Sequence, residues 1–230
     1  MKKMLVTIIL TLPLLLLFPG PCQTKMLPVK KLRAGMPPYQ IIKEIVTSNS
    51  TATKNSVLHS PRAEKPHVPY ITWLADSDDR IQANLILANP QNRLYAVRNL
   101  GNQLVLSAGA IDYGVLELLT PVLLITGNTD NSAVSMFMNG YRKMPEDIRR
   151  DLDHLHIPLS QPAEEDEAEA DFETRQLYNV ERNVDYQVEL ATNRYKYRIR
   201  EGRLVIIGGI IDLTNAYGNG PEKLTIININ

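Results

Sequence analysis

The chain of 230 residues has a single cysteine, Cys22, and four histidines, His59, His67, His154 and His156. One thiol excludes an intramolecular disulfide and any zinc site built on paired thiolates. His154 and His156 lie two apart on a helical stretch, where neighbouring rings point away from each other, so the pair reads as surface. Excess charge is lacking too. The 25 basic and 25 acidic side chains cancel to a formal charge of zero. Phosphate binding needs a basic surface, so a nucleic-acid protein is excluded on this count. No like-charge block suggests a membrane-surface patch.

What is present is apolar material. The chain is 44% hydrophobic and 22% charged, enough for one globular domain with a sizeable core. At the N-terminus Lys2 and Lys3 precede an apolar run from Leu5 to Phe18, followed by Pro19, Gly20, Pro21, Cys22 and Gln23. A basic start, an apolar stretch and a break of this kind read as a bacterial secretory signal peptide over 1–22. The stretch is short for a membrane span, which needs about 20 residues. The expected location is therefore the periplasm or outside the cell, with Cys22 a candidate lipid-anchor site and no membrane span in the mature chain.

Residues 23–65 read as an N-terminal arm with a short helical pattern over Tyr39–Val46, begun by Pro37 and Pro38, and a polar loop from Ser48. Buried-strand patterns follow at Pro69–Ala75, Arg93–Val97, Pro121–Thr126 and Leu204–Ile210, with a fifth at Lys223–Asn230. Between them, helical patterns run over Ile81–Ala88, Ser107–Leu119, Asn131–Arg142 and Asn179–Arg200. The acidic run Ala163–Asp171 reads as a solvated loop or a helix start. Strands alternating with helices predict an α/β domain over 66–230 with a parallel sheet. The short connection to the last strand predicts that it is antiparallel.

Three short strings follow the first three strand patterns, where open α/β sheets place their sites. They are Asp76-Ser-Asp-Asp-Arg80, Arg98-Asn-Leu-Gly-Asn102 and Gly127-Asn-Thr-Asp-Asn131. Together with Ala110-Ile-Asp-Tyr-Gly-Val115, Thr120-Pro-Val-Leu-Leu-Ile-Thr-Gly127 and Gly202-Arg-Leu-Val-Ile-Ile-Gly208 with Ile211-Asp-Leu213, they resemble the β-class carbonic anhydrases. That family carries Cys-x-Asp-x-Arg, Arg-Asn-x-Gly-Asn and Gly-His-x-x-Cys in the same order. The resemblance implies a three-layer fold: four parallel strands, a fifth antiparallel strand and helices on both faces. It also implies an obligate dimer or higher homo-oligomer, with the N-terminal arm wrapping the partner.

In that family two Cys and one His hold zinc. The corresponding positions here are Asp76, Asn128 and Asn131, one carboxylate and two neutral amides, which are weak zinc donors. The resemblance therefore implies a carbonic-anhydrase-like module without zinc-dependent CO2 hydration, a binding or structural protein with no cofactor expected. The retained residues are Asp78 and Arg80, matching the family's Asp-Arg dyad, which here also reads as an ion pair fastening the first crossover. His67 falls where the family has a Gln that reaches substrate across the subunit interface, and a small anion is a candidate ligand through Arg80. The alternative is an enzyme on the same fold, for CO2/bicarbonate or other hydrolytic chemistry, using a non-zinc metal or unconventional ligands. Asp76, Asp78, Asp79, Asn128, Asp130 and Asn131 are oxygen donors of the kind calcium or magnesium prefers.

Overall fold

The computed structural model describes residues 67–160 and 169–230, together with residues 42 and 46–48. The chain divides into two units, Met1–Arg62 and Ala63–Asn230. In the first, residues 42 and 46–48 are helical. The expectations for the signal peptide, Cys22, His59, most of the arm over 23–65 and the acidic run over 163–168 lie outside the described residues.

The second unit is built on one five-stranded sheet: β1 (Ile71–Asp76), β2 (Leu94–Asn99), β3 (Val122–Asn128), β4 (Val205–Asp212) and β5 (Lys223–Ile229), in the order β2-β1-β3-β4-β5. The first four strands are parallel and β5 is antiparallel to β4, as the sequence pattern predicts. In β1 and β3 every residue after the first is buried, which is why they read as unbroken apolar runs rather than alternating ones. The register aligns Ala75 with both Arg98 and Thr126. The carboxyl ends of β1, β2 and β3 therefore lie side by side, and the three strings that follow them meet.

Alternation along the strands divides the core. Leu74, Leu123, Ile125, Ile206 and Ile210 pack on one face with Val180, Val184 and Val188, whereas Trp73, Ala75, Leu124 and Ile211 pack on the other with Ile81. The helices are α1 (Ala108–Asp112), α2 (Ser132–Asn139), α3 (Glu146–Asp153), α4 (His156–Leu159), α5 (Phe172–Arg194) and α6 (Lys196–Arg200). In α5, Val180, Val184, Val188 and Ala191 recur at helical spacing and are buried. A Cβ on Gly127 would stand 2.5 Å from Val180 Cγ1, so the glycine lets α5 lie close against β3.

Several element boundaries differ from the sequence pattern. The helix expected over Ile81–Ala88 is a single 3₁₀ turn, Ala83–Leu85. Ile81, Ala83, Leu85 and Ile86 all pack toward Trp73, and Pro90 disfavours helical backbone at Asn89. The pattern over Ser107–Leu119 becomes α1 followed by a π-helical turn, Tyr113–Glu117. The helix expected from Asn131 to Arg142 stops at Asn139, where Gly140 takes φ +85°. Helix α5 starts seven residues earlier than Asn179, because Asp171 caps it by accepting a 2.8 Å bond from Thr174 N. It also ends earlier, at Arg194, with α6 continuing to Arg200. Helix α4 begins within the stretch expected to be helical at His154 and His156, whereas α3 has no counterpart in the sequence pattern: it is strongly polar, with only Leu152 fully buried.

Candidate functional site

Asp76 ends β1 and is 3% exposed. Its Oδ1 accepts a 2.6 Å hydrogen bond from Gly101 N. That N–H is presented by a turn in which Gly101 and Asn102 both take left-handed backbone angles, φ +75° and +45°; Gly is at ease there, and Asn is one of the few other residues that adopts it readily. Burial raises the Asp76 pKa above the usual carboxylate value, and the nearby Asp78 adds to the rise. The N–H groups of Gly101 and Ser77 oppose it, as does the amide of Asn128, which lies close by without a hydrogen bond of normal geometry.

Asp78 and Arg80 form a forked pair, Arg80 Nε to Asp78 Oδ1 at 2.9 Å and Nη2 to Oδ2 at 2.5 Å. The same guanidinium donates through Nη1 to Asp130 Oδ2 at 2.7 Å and through Nη2 to Asp130 O at 3.2 Å. The Asp78 side chain is 6% exposed and that of Arg80 46%. Hydrogen bonding to Arg80 holds the Asp78 carboxyl below its ordinary range, and both carboxylates hold the guanidinium firmly protonated. Arg98 fixes the other side of this loop by donating to the carbonyls of Asp76 and Asp78.

The third string ends β3 and opens α2. Asn128 is fully buried, and neither its Oδ1 nor its Nδ2 has a partner. Asn131 is the N-cap of α2: its Oδ1 accepts from Val134 N at 3.0 Å, and its Nδ2 is unpartnered. Buried amides left without partners are uncommon, because each costs the desolvation of the group. Both lie on the segment after β3 that Arg80 ties to the loop after β1.

Helix α5 holds these loops from behind with amides that the sequence reading missed. Gln176 Nε2 donates to Asn131 O at 3.0 Å, and Asn183 Nδ2 to Gly101 O at 2.9 Å. Gln187 Nε2 donates to Asn183 Oδ1 at 3.0 Å, while its Oε1 accepts from Leu104 N at 2.9 Å. All three are buried. Their signal was present: amides at spacings of seven and four sit beside the buried valines of one helix.

The structure thus brings together Asp76, Asp78, Arg80, Asn128, Asp130 and Asn131. Asp79 is exposed, with its carbonyl accepting from Gln82 Nε2. His67 lies before β1, at the opposite end of that strand, with its ring 6.3 Å from that of Tyr95. His154 is exposed, whereas exposed His156 is bonded through Nε2 to the Tyr141 hydroxyl at 2.7 Å. Among the described residues no three His, Cys, Asp or Glu side chains converge as a group able to hold a metal ion, and no helix is long and apolar enough to cross a membrane. Asp78 and Asp130 face Arg80, which leaves that guanidinium no unmatched charge for an anion.

An open α/β sheet with its polar residues gathered beyond the carboxyl ends of adjacent parallel strands defines the class. The family model described as carbonic anhydrase matches residues 71–217, and the chain belongs to that family, with the fold of its β class. Its structure is similar to a tetrameric β-carbonic anhydrase from Sordaria macrospora, with a TM-score of 0.68 at 18% identity over 84% of this chain and 97% of that one. It is also similar to the Coccomyxa β-carbonic anhydrase in complex with acetazolamide, with a TM-score of 0.64 at 16% identity over 86% and 88%. The β-carbonic anhydrase CafA of Aspergillus fumigatus gives 0.64 at 19% identity over 83% and 89%. No curated protein matches the sequence.

Proposed function

We propose that this protein is a carbonic-anhydrase-like binding or structural module that does not hydrate CO2 through zinc. One observation carries the reading: the family's ligand positions hold Asp76, Asn128 and Asn131, and two of these already use an oxygen elsewhere. Asp76 Oδ1 accepts from Gly101 N, and Asn131 Oδ1 caps α2. Zinc is held by thiolate, imidazole and carboxylate donors in a tetrahedron, and a single carboxylate beside two neutral amides does not fit it. Asp78 and Arg80, retained from the family's dyad, are read as a clamp that holds the β1 and β3 loops together. Export and assembly into a homo-oligomer belong to the same reading. The Sordaria relative is tetrameric, and Tyr113, Leu116, Leu119 and Tyr197 are exposed apolar or aromatic side chains of the kind a subunit interface would cover.

The test is the metal content of the purified protein together with its CO2 hydration rate, with and without added zinc. A metal-free protein with no rate above the uncatalysed reaction supports the proposal. Stoichiometric zinc with activity overturns it, and stoichiometric calcium, magnesium or manganese favours a metalloenzyme of another kind.

A further inference from the structure

Arg80 is matched by two carboxylates, yet unmatched guanidinium groups occur elsewhere. A groove of about 600 Å³ lies over α2, α3 and α4, lined among others by Phe137, Tyr141, Arg142, Arg149 and His156. That is a volume suited to a small organic ligand. No sequence motif marks it, and it shares no residue with the loops that follow β1, β2 and β3.

A hydrogen-bonded chain forms its floor. Tyr141, 8% exposed, donates its hydroxyl proton to Asp153 Oδ1 at 2.6 Å. With that one proton given to the carboxylate, the hydroxyl oxygen is left as the acceptor for His156 Nε2 at 2.7 Å, so His156 carries hydrogen on Nε2. In the neutral ring Nδ1 is then an acceptor and not a donor. Burial and Asp153 push the Tyr141 pKa up to about 12, so the phenol keeps its proton and the arrangement stays fixed at neutral pH. Phe137 stacks on Tyr141 at 5.6 Å and meets the edge of His156 at 4.9 Å. The three rings make a rigid aromatic surface.

The charges on the wall are only partly matched. Asp153 is engaged by Tyr141, and Arg150 pairs with Asp147 at 2.7 Å. Neither the Arg142 nor the Arg149 side chain makes a hydrogen bond or ion pair with another described residue, and nor does that of Glu146. Asp153 keeps its negative charge while bonded to the phenol, so Glu146 and Asp153 offset Arg142 and Arg149 in sum, but neither guanidinium is ion-paired and both are open to a ligand's oxygens. Guanidinium groups match the planar or tetrahedral oxygens of carboxylate and phosphate groups.

We infer that this groove is a binding site for a small aromatic oxyanion, a carboxylate or a phosphate monoester, taken by Arg142 and Arg149 and seated against Phe137, Tyr141 and His156. The site is independent of the loops where the family holds zinc, and it stands whether or not zinc binds there.

The experiment titrates the full-length protein with phenyl phosphate and, separately, benzoate, following the His156 ring signals by NMR, with His154 as the internal control. Sodium chloride at equal ionic strength is the reference. Saturable shifts at His156 but not His154 are expected with at least one of the two probes, and the tighter one identifies the group recognised. The exposed pair Arg142→Gln and Arg149→Gln should fold normally and weaken binding at least tenfold, and Phe137→Leu should weaken it several-fold. Shifts reproduced by sodium chloride, or an affinity that the double substitution leaves within twofold, would overturn the assignment.

Discussion

Arg80 and Asp130 stand fifty residues apart in the chain and 2.7 Å apart in space. Because Arg80 also grips Asp78, one guanidinium closes the loop after β1 on the loop after β3. The two halves of this clamp are unequal, since Asp78 is shielded and the Asp130 side chain is 54% exposed. Asp78→Asn is predicted to lower stability by about 1–2 kcal/mol, after discounting for the solvent that reaches Arg80. Asp130→Asn should cost only about 0.2–1 kcal/mol. Urea unfolding of the two variants measures the difference, and equal losses would show that both contacts are solvent-screened surface pairs.

Acid affects the fold in two directions. Asp78 and Asp112 have depressed pKa values through Arg80 and Arg194. The stability they contribute is present above the ordinary value of 3.8 and is lost as pH falls below it toward the folded values. Asp76 behaves oppositely. Its folded pKa is raised, so its burial costs stability above that pKa, and the cost fades as pH falls from the raised value to 3.8. Asp76→Asn is therefore predicted to be more stable than the parent at pH 7, with the advantage shrinking on acidification. Denaturant midpoints at pH 7, 5 and 4 check this; a difference that does not change with pH would refute it.

Replacing Asp76, Asn128 and Asn131 by Cys, His and Cys respectively is expected to create zinc binding at one ion per chain. The three residues end β1, end β3 and cap α2, elements whose relative positions the sheet register and α5 already fix. Loss of the Asn131 cap should cost about 1 kcal/mol in the metal-free variant, recovered on adding zinc. Metal analysis and the melting temperature with and without zinc read both effects. A triple variant that folds but takes up no zinc would mean that the loops have moved apart.

Gly127→Ala tests how tightly α5 is seated. The new methyl would meet Val180 at 2.5 Å and Val184 at 3.1 Å, and overpacking of this kind costs about 1–3 kcal/mol. Because the strand end carrying Asn128 would have to shift, the amide contacts of α5 should loosen as well. Faster hydrogen exchange at Leu104, whose N–H donates to Gln187 Oε1, would report it, and unchanged stability would show that the helix has slack.

Much of the sheet was legible in the sequence. Buried parallel strands demand apolar runs, and five such runs gave the strands to within two residues at either end. Helix limits were less legible. Asp171 caps α5 from within an acidic run whose charges hide the helical period, and the apolar residues after Ile81 pack on the sheet without forming a helix. The site was visible as three strings after three strands, together with the Asp78–Arg80 pair.

The sequence by itself determined the family, the order of the strands' partners in the site, and the absence of a thiol or imidazole at Asp76, Asn128 and Asn131. Only the tertiary structure decided what those residues do now. Whether Asn131 offers an oxygen or uses it on a helix end, and whether Arg80 is free or held between two carboxylates, depends on contacts made across the fold. So do the α5 amides behind the loops and the aromatic groove at Tyr141 and His156. Such contacts join residues far apart in the chain, and their geometry is fixed by packing rather than by any local pattern.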